Sequence, residues 1–377
     1  MANIKKRKRL VLKASDWEGL ARLERETVMS PKAKFPKRRG TSMKRIRQAA
    51  CLSVAVLALG IVVPSAPQPA MAAETAPTKV RIVATFINSL PAMAALEVAY
   101  KRGYFKDADL DLTFASAIGG GDTLRPVTTG DADVAIGSPA ASVLAVEHNP
   151  GLRIAAIWVP YNAFTFIGIK PLKELEGAKL GGSVGASTVN LLIDGLQEKM
   201  KVKFVNQRAG TGSMADNWAA VKAGHLDASW AAEPFTSEKE ASDGALVVID
   251  PVKYLPDFPM DFVVVNEKFA KTQATAMKEF FVAIERIFKE FPDRSKQGAL
   301  AKDLAGVMVF PEPVLEHYLT SSSTDRLSKT YSLKMNAGVL HNISHIMQLA
   351  KLIKAPVDWS KAIDQSYLPA ADQVAKF

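Results

Sequence analysis

Residues 127–147, VTTGDADVAIGSPAASVLAVE, place a helix end, a buried strand and a new helix start within one short stretch. Gly130 ends the first helix. Asp133 leads into Val134, Ala135 and Ile136, a short apolar run of the kind found in a parallel sheet covered on both faces. Ser138 followed by Pro139 supplies an N-cap and a first-turn proline, so the next helix starts at the carboxyl end of that strand. In an open α/β sheet, ligands bind in the crevice at those strand ends.

The same grammar returns ninety-four residues later in AAVKAGHLDASWAAEPF. There Gly224 ends a helix, Asp227 opens a strand running through Trp230, and Glu233 and Pro234 start another helix. A G-x-x-D match is short, but each copy closes a helix and opens a strand, as two similar α/β lobes require.

The formal charge of +10 would suggest nucleic acid or a membrane surface as partner. The excess is local: residues 1–72 carry 16 Lys and Arg against 4 Asp and Glu, leaving 32 against 34 for residues 73–377. The body is therefore slightly acidic, and no nucleic-acid partner is expected. Within the amino-terminal part, the cationic Met43-Lys44-Arg45-Ile46-Arg47 precedes an uncharged run at residues 49–63, then Pro64 and the small-residue sequence Ala70-Met71-Ala72. That layout predicts a signal peptide at residues 43–72, cleaved after Ala72, and hence export to the periplasm. The apolar run is shorter than the roughly twenty residues of a membrane-spanning helix. Residues 1–42 read as a basic extension of doubtful translation; Arg38-Arg39 keeps twin-arginine export open beside the general route. Cys51 is the single cysteine and lies inside the signal. The mature chain thus has no thiol for a disulfide, a metal site or a nucleophile.

Along residues 79–266 strands and helices alternate: strands at 79–86, 110–115, 153–159, 164–169, 179–182, 202–206, 226–231, 245–249 and 261–266, with helices between them. Asn88 and Ser89 before Pro91, and Asp122 after Gly119-Gly120-Gly121, are candidate helix caps. The pattern then turns helical, first at residues 268–290.

In order, VRIVATFINSLPAMAALEVAYKRGYFKDADLDLTF, TTGDADVAIGSPAA, LKELEGAKLGGSVGAST and AGHLDASWAAEPF resemble the solute-binding proteins of nitrate/sulfonate/taurine-type ABC importers. Thiamine-precursor binders and eukaryotic pyrimidine synthases are relatives. Gly103-Tyr104-Phe105-Lys106 and Trp230-x-x-Glu233-Pro234-Phe235 carry the resemblance best; it spans residues 80–290 and, more loosely, the tail to 369. It implies an α/β fold: a two-lobed periplasmic binding protein (type II clamshell). Each lobe is a helix-flanked, mostly parallel sheet, two crossover strands form the hinge, and a helical tail follows. The crossings are expected at residues 164–170 and 261–266, giving lobe I as 78–168 plus 261–377 and lobe II as 169–260.

Candidate ligand-binding residues are those at strand ends: Asn88, Ser89 and Ser138 in lobe I, Ser187 and Thr188 in lobe II. Their hydroxyls and helix-start N–H groups suit an anion or polar head group, and capping is compatible with binding. Trp158, Tyr161 and Phe164 cluster at the hinge, as cleft lining or as core. Glu233 exits a strand toward the cleft or serves only as a helix-start carboxylate. Gly119-Gly120-Gly121 lacks the continuation of a phosphate loop. His341 and His345 lack the carboxylate of a metalloprotease helix, so no metal is expected.

The function expected is capture of a small polar organic solute (sulfonate, taurine-like or heterocyclic) by a monomer, for delivery to an ABC permease and its ATPase. Neither catalysis nor a cofactor is expected. An enzyme or sensor on the same fold is the alternative. The pyrimidine synthases, though, depend on a cysteine-rich iron-binding motif, and residues 73–377 contain no cysteine. An inward Glu233 would favour a zwitterion or an amine-bearing or hydrogen-bond-rich heterocycle over nitrate or sulfate.

Overall fold

The structure, a computed structural model, describes residues 76–377. The basic extension, the signal peptide and its cleavage point, expected within residues 1–73, lie outside the described residues. Strands and helices first alternate as β1 (Thr78–Thr85), α1 (Pro91–Lys101), β2 (Leu110–Ala117), α2 (Gly120–Thr129), β3 (Val134–Gly137), α3 (Pro139–His148) and β4 (Leu152–Trp158). They do so again as β5 (Phe164–Gly168), β6 (Lys179–Gly181), α4 (Thr188–Met200), β7 (Val205–Gln207), α5 (Met214–Lys222), β8 (Ala228–Ala232), α6 (Phe235–Asp243) and β9 (Leu246–Ile249). β10 (Asp261–Asn266) returns to the first sheet.

The two sheets share one topology. The first runs β2-β1-β3-β10-β4 and the second β7-β6-β8-β5-β9. In each, three parallel strands are followed by an antiparallel strand inserted before the last. Each sheet is therefore mixed, and the inserted strand is the one that has just crossed from the other lobe. Two sequence expectations change here: residues 164–168, expected to end lobe I at the first crossing, pair with β8 and β9 of the second sheet, and residues 261–266, expected as the second crossing, are β10 within the first sheet. The chain thus crosses at residues 159–163 and returns at residues 250–260. The apolar run of β5 did not distinguish the two sheets, because each offers it a fully buried slot.

The repeat has a physical basis. Gly130 and Gly224 both end their helices with positive φ, 80° and 75°, the left-handed conformation that only glycine adopts freely. Three residues on, Asp133 and Asp227 each accept a hydrogen bond from the backbone N–H at the neighbouring strand's edge: Arg81 N at 3.0 Å and Lys179 N at 2.8 Å. Both aspartates also donate their own N–H back to the same residue, to Arg81 O and Lys179 O. The motif is a splice that fixes where a central strand begins against its neighbour.

The tail comprises α7 (Glu267–Thr272), α8 (Ala274–Phe288), α9 (Gln297–Ala305), α10 (Glu312–Ser321), α11 (Thr324–Thr330), α12 (Ala337–Leu349) and α13 (Trp359–Ala362). The single helix expected from residue 268 breaks at Gln273, whose φ and ψ of −119° and 40° are not helical. α8 buries Met277, Phe280, Phe281, Ile284, Ile287 and Phe288 at helical spacing and packs on α1. Farther on, α10 touches α6 and α12 touches α4, so the tail holds both lobes.

Candidate functional site

The two crossings lie side by side. Asn162, fully buried, donates from Nδ2 to Leu255 O at 3.0 Å and from its backbone to Pro256 O at 2.8 Å. Met260 N donates to Val159 O at 2.9 Å. Val159 has φ +58°, a conformation that a β-branched residue adopts only under constraint. These bonds tie the two crossings to each other.

Beside the crossings, a cavity of about 30 Å³ is walled by both lobes. Thr85, Phe86, Leu90, Gly119, Gly120 and Ser138 come from the first lobe; Phe164, Ser183, Ser187, Thr188, Val189 and Trp230 come from the second; Met260 ends the returning crossing and Asp261 begins β10. The volume takes one or two waters, so a larger solute requires the lobes to part slightly. The amino-terminal ends of α2, α3 and α4 reach this space through Gly120, Ser138 and Ser187 to Val189, bringing the positive dipole ends of three helices.

The lobes meet directly at its rim. Ser138 Oγ caps α3 by accepting from Ala141 N at 3.2 Å and donates across the cleft to Ala186 O. Thr188 Oγ1 donates to Met260 O at 2.8 Å. Gly119 and Gly120 permit this approach: a Cβ on Gly119 would stand 2.2 Å from Val184 Cγ2, and one on Gly120 would stand 2.6 Å from Ala186 O. Outside the cleft, Glu198 of α4 pairs with His345 of α12 at 2.7 Å. That hydrogen bond holds the Glu198 carboxyl below its ordinary value.

Of the residues singled out in the sequence, Ser138, Phe164, Ser187 and Thr188 meet in this cavity. Ser187 caps α4, accepting from Asn190 N at 3.2 Å. Trp158 is fully buried and packs edge-on against Phe288 at 4.9 Å, so it is core. Tyr161 lies half-buried outside the cavity lining. Asn88 and Ser89 lie in the turn before α1 and do not cap it; Leu90 holds the N-cap position without a side-chain bond. The Asn88 backbone carbonyl accepts from Val309 N of the tail at 3.1 Å, while its side-chain Oδ1 is buried without a partner among the described residues. Asp122 sits inside the first turn of α2, whose N-cap is Gly119.

Glu233 turns away from the cavity. Its Oε2 accepts from Ser237 N at 3.2 Å and Ser237 Oγ at 2.7 Å, capping α6. It borders a separate space of about 20 Å³ beside Tyr318, Arg326 and Tyr331. Met260 lines both spaces.

Among the lining residues that the sequence did not single out for binding are Phe86, Trp230 and Asp261. Phe86 and Trp230 form an aromatic wall with Phe164, at 6.1 Å and 6.0 Å centroid separations from Trp230. Trp230 is oriented by donating Nε1–H to Gly212 O at 3.1 Å. Asp261 is the one ionisable side chain of the lining, only 3% exposed, and burial pushes its carboxyl well above the ordinary carboxylate range. An acid heading an otherwise apolar strand, D-F-V-V-V, was the available signal.

Comparison with known proteins places this geometry. The profile described as NMT1/THI5 like matches residues 90–291; no curated protein matches. Among solved structures, the periplasmic aliphatic sulphonate binding protein of Escherichia coli is 18% identical, with a TM-score of 0.59 over 77% of this chain and 92% of that one. The alkanesulfonate-binding protein of Xanthomonas axonopodis pv. citri, bound to MOPS, is 15% identical, with a TM-score of 0.56 over 78% and 99%. The desulfurization enzyme DSZB is 14% identical, with a TM-score of 0.55 over 77% and 97%. At such identities these structures establish the fold, while the profile covers more than half of the chain. The chain belongs to the NMT1/THI5-like family and has the periplasmic binding protein fold.

Proposed function

We propose that this protein is the solute-binding component of an ABC importer: exported to the periplasm, monomeric, and carrying a small polar organic solute to a permease and its ATPase. The observation that carries the reading is the cavity built jointly by two lobes on a double crossing, with Ser138 of one lobe bonded to Ala186 of the other. A site divided between hinged bodies couples occupancy to closure, since a solute touching both walls stabilises only the closed form. Three helix starts supply N–H donors to an acidic or acceptor-rich end of the solute, and the aromatic wall supplies apolar contact. Two structural neighbours, an aliphatic sulphonate binding protein and an alkanesulfonate-binding protein, are in keeping with an oxyanion at these helix starts.

The test is mass spectrometry of what co-purifies with native protein, followed by small-angle scattering with and without the identified solute. A bound small molecule released unchanged, and a smaller radius of gyration on binding, are expected. DSZB shares the fold and is an enzyme; chemical conversion of the solute by the purified protein would replace the transport reading with an enzymatic one.

A further inference from the structure

Four acidic side chains are buried among the described residues: Asp133, Glu238, Asp261 and Glu290. Three have charged partners. Asp133 accepts from Arg81 Nε at 2.9 Å and from Nη2 at 2.7 Å. Glu238 meets Lys239 at 2.8 Å. Glu290 meets Arg102 and accepts from Tyr104 OH at 2.7 Å. Asp261 has none: among the described residues no side-chain or backbone donor reaches its carboxyl, although the residue lines the cleft cavity. Strand β10 continues as four buried apolar residues, Phe262 to Val265, so neighbours along the strand offer no compensation.

An unpaired carboxyl in such surroundings is costly to the fold. A position that spends stability without an internal partner marks a place where a ligand supplies the partner. The rest of the cavity defines which partner. Its hydroxyls at Thr85, Ser138 and Thr188 are already bonded within the protein, and its helix starts select an acceptor. Ser183 and Ser187 also present hydroxyls to the cavity, but Asp261 is the one ionisable acceptor of its lining. The rings of Phe86, Phe164 and Trp230 add faces that attract a cation.

We infer that Asp261 is the specificity-determining acceptor of the cleft, and that the solute is bipolar: an ammonium or amidinium nitrogen donates to Asp261 while its acidic or acceptor end meets the helix starts. The inference rests on the solute-binding reading and assigns to Asp261 the role that the sequence suggested for Glu233.

Two variants, Asp261→Asn and Asp261→Leu, test it. In protein stripped of solute, both should melt at or above the parent temperature, because each removes an unpaired buried carboxyl; melting several degrees lower in both would mean a structural role and overturn the inference. Solute co-purified with the parent should contain a basic nitrogen and be lost from Asp261→Asn. In parallel, taurine is compared with ethanesulfonate, and benzamidine with benzamide, by thermal shift and calorimetry. The nitrogen-cation member of a pair should bind the parent preferentially and bind Asp261→Asn on the order of thirtyfold more weakly. Equal binding of a solute by parent and Asp261→Asn, or a co-purified solute lacking nitrogen, overturns this inference alone. Absence of any co-purified solute and of binding by any probe removes the solute-binding reading, and this inference with it.

Discussion

The stretch from Gly130 to Ser138 and the stretch from Gly224 to Glu233 begin alike and end differently. Both open with a left-handed glycine and an aspartate that hydrogen-bonds the adjacent strand. Both then run through a buried central strand. At the far end, Ser138 caps a helix whose first turn faces the cleft, whereas Glu233 folds its own carboxylate over α6 and faces a separate space. In the second lobe the cleft-facing start passes to α4, the topological counterpart of α1 rather than of α3. The two lobes therefore share the splice that builds each sheet but not the helix end that faces the cleft. The splice serves the fold in both lobes, while the helix ends face only one cleft from opposite sides.

The largest expected contrast lies at the splice. Asp133 is buried and holds both the Arg81 side chain and its backbone N–H; Asp227 is exposed, its carboxylate holding one backbone N–H. Asp133→Ala should cost about 3 kcal/mol and Asp227→Ala about 1 kcal/mol in urea unfolding, as expected for several against one charge-assisted bond. Equal costs would mean that the shared motif, rather than Arg81, sets the energy.

Next in size are the two serine caps. Ser138→Ala and Ser187→Ala should each lose about 1 kcal/mol of stability. Ser138→Ala also removes the bond to Ala186, so it should weaken solute binding several-fold more than Ser187→Ala in calorimetry. A third contrast concerns Glu233→Gln, which should cost up to about 1 kcal/mol through its weakened cap of α6 and leave solute affinity unchanged. An affinity loss comparable to that of Asp261→Asn would return Glu233 to the cleft.

The smallest effect is pH-dependent. The Glu198 carboxyl is held below its ordinary value by His345, so its contribution is present above the unfolded carboxyl range of about 4.3 and is lost as pH falls through the lower folded value. Both side chains are partly exposed, which keeps the contribution within about 0.5 kcal/mol. Parent and Glu198→Gln should therefore differ slightly in melting temperature at pH 6 and converge as pH falls below 4.

Local signals determined what is local. Gly130, Asp133, Ser138 and Pro139 specify a helix end, a strand start and a helix start through backbone conformation and capping bonds that reach at most a few residues along the chain. Hence the alternating strands and helices, the two-lobed α/β fold and three of the cleft's hydroxyl residues, Ser138, Ser187 and Thr188, were legible. Glu233 was half legible, because its capping partner Ser237 stands four residues on, one turn along α6. Tertiary structure alone decided the rest. Whether residues 164–168 join the first or second sheet depends on which buried slot accepts an apolar strand, and both slots are apolar. Trp158 and Phe164 look alike in sequence, yet Phe288 of the tail takes one and the cleft takes the other. Asp261 is defined by a buried carboxyl that no donor among the described residues reaches, a property of everything packed near it and of nothing beside it in the chain.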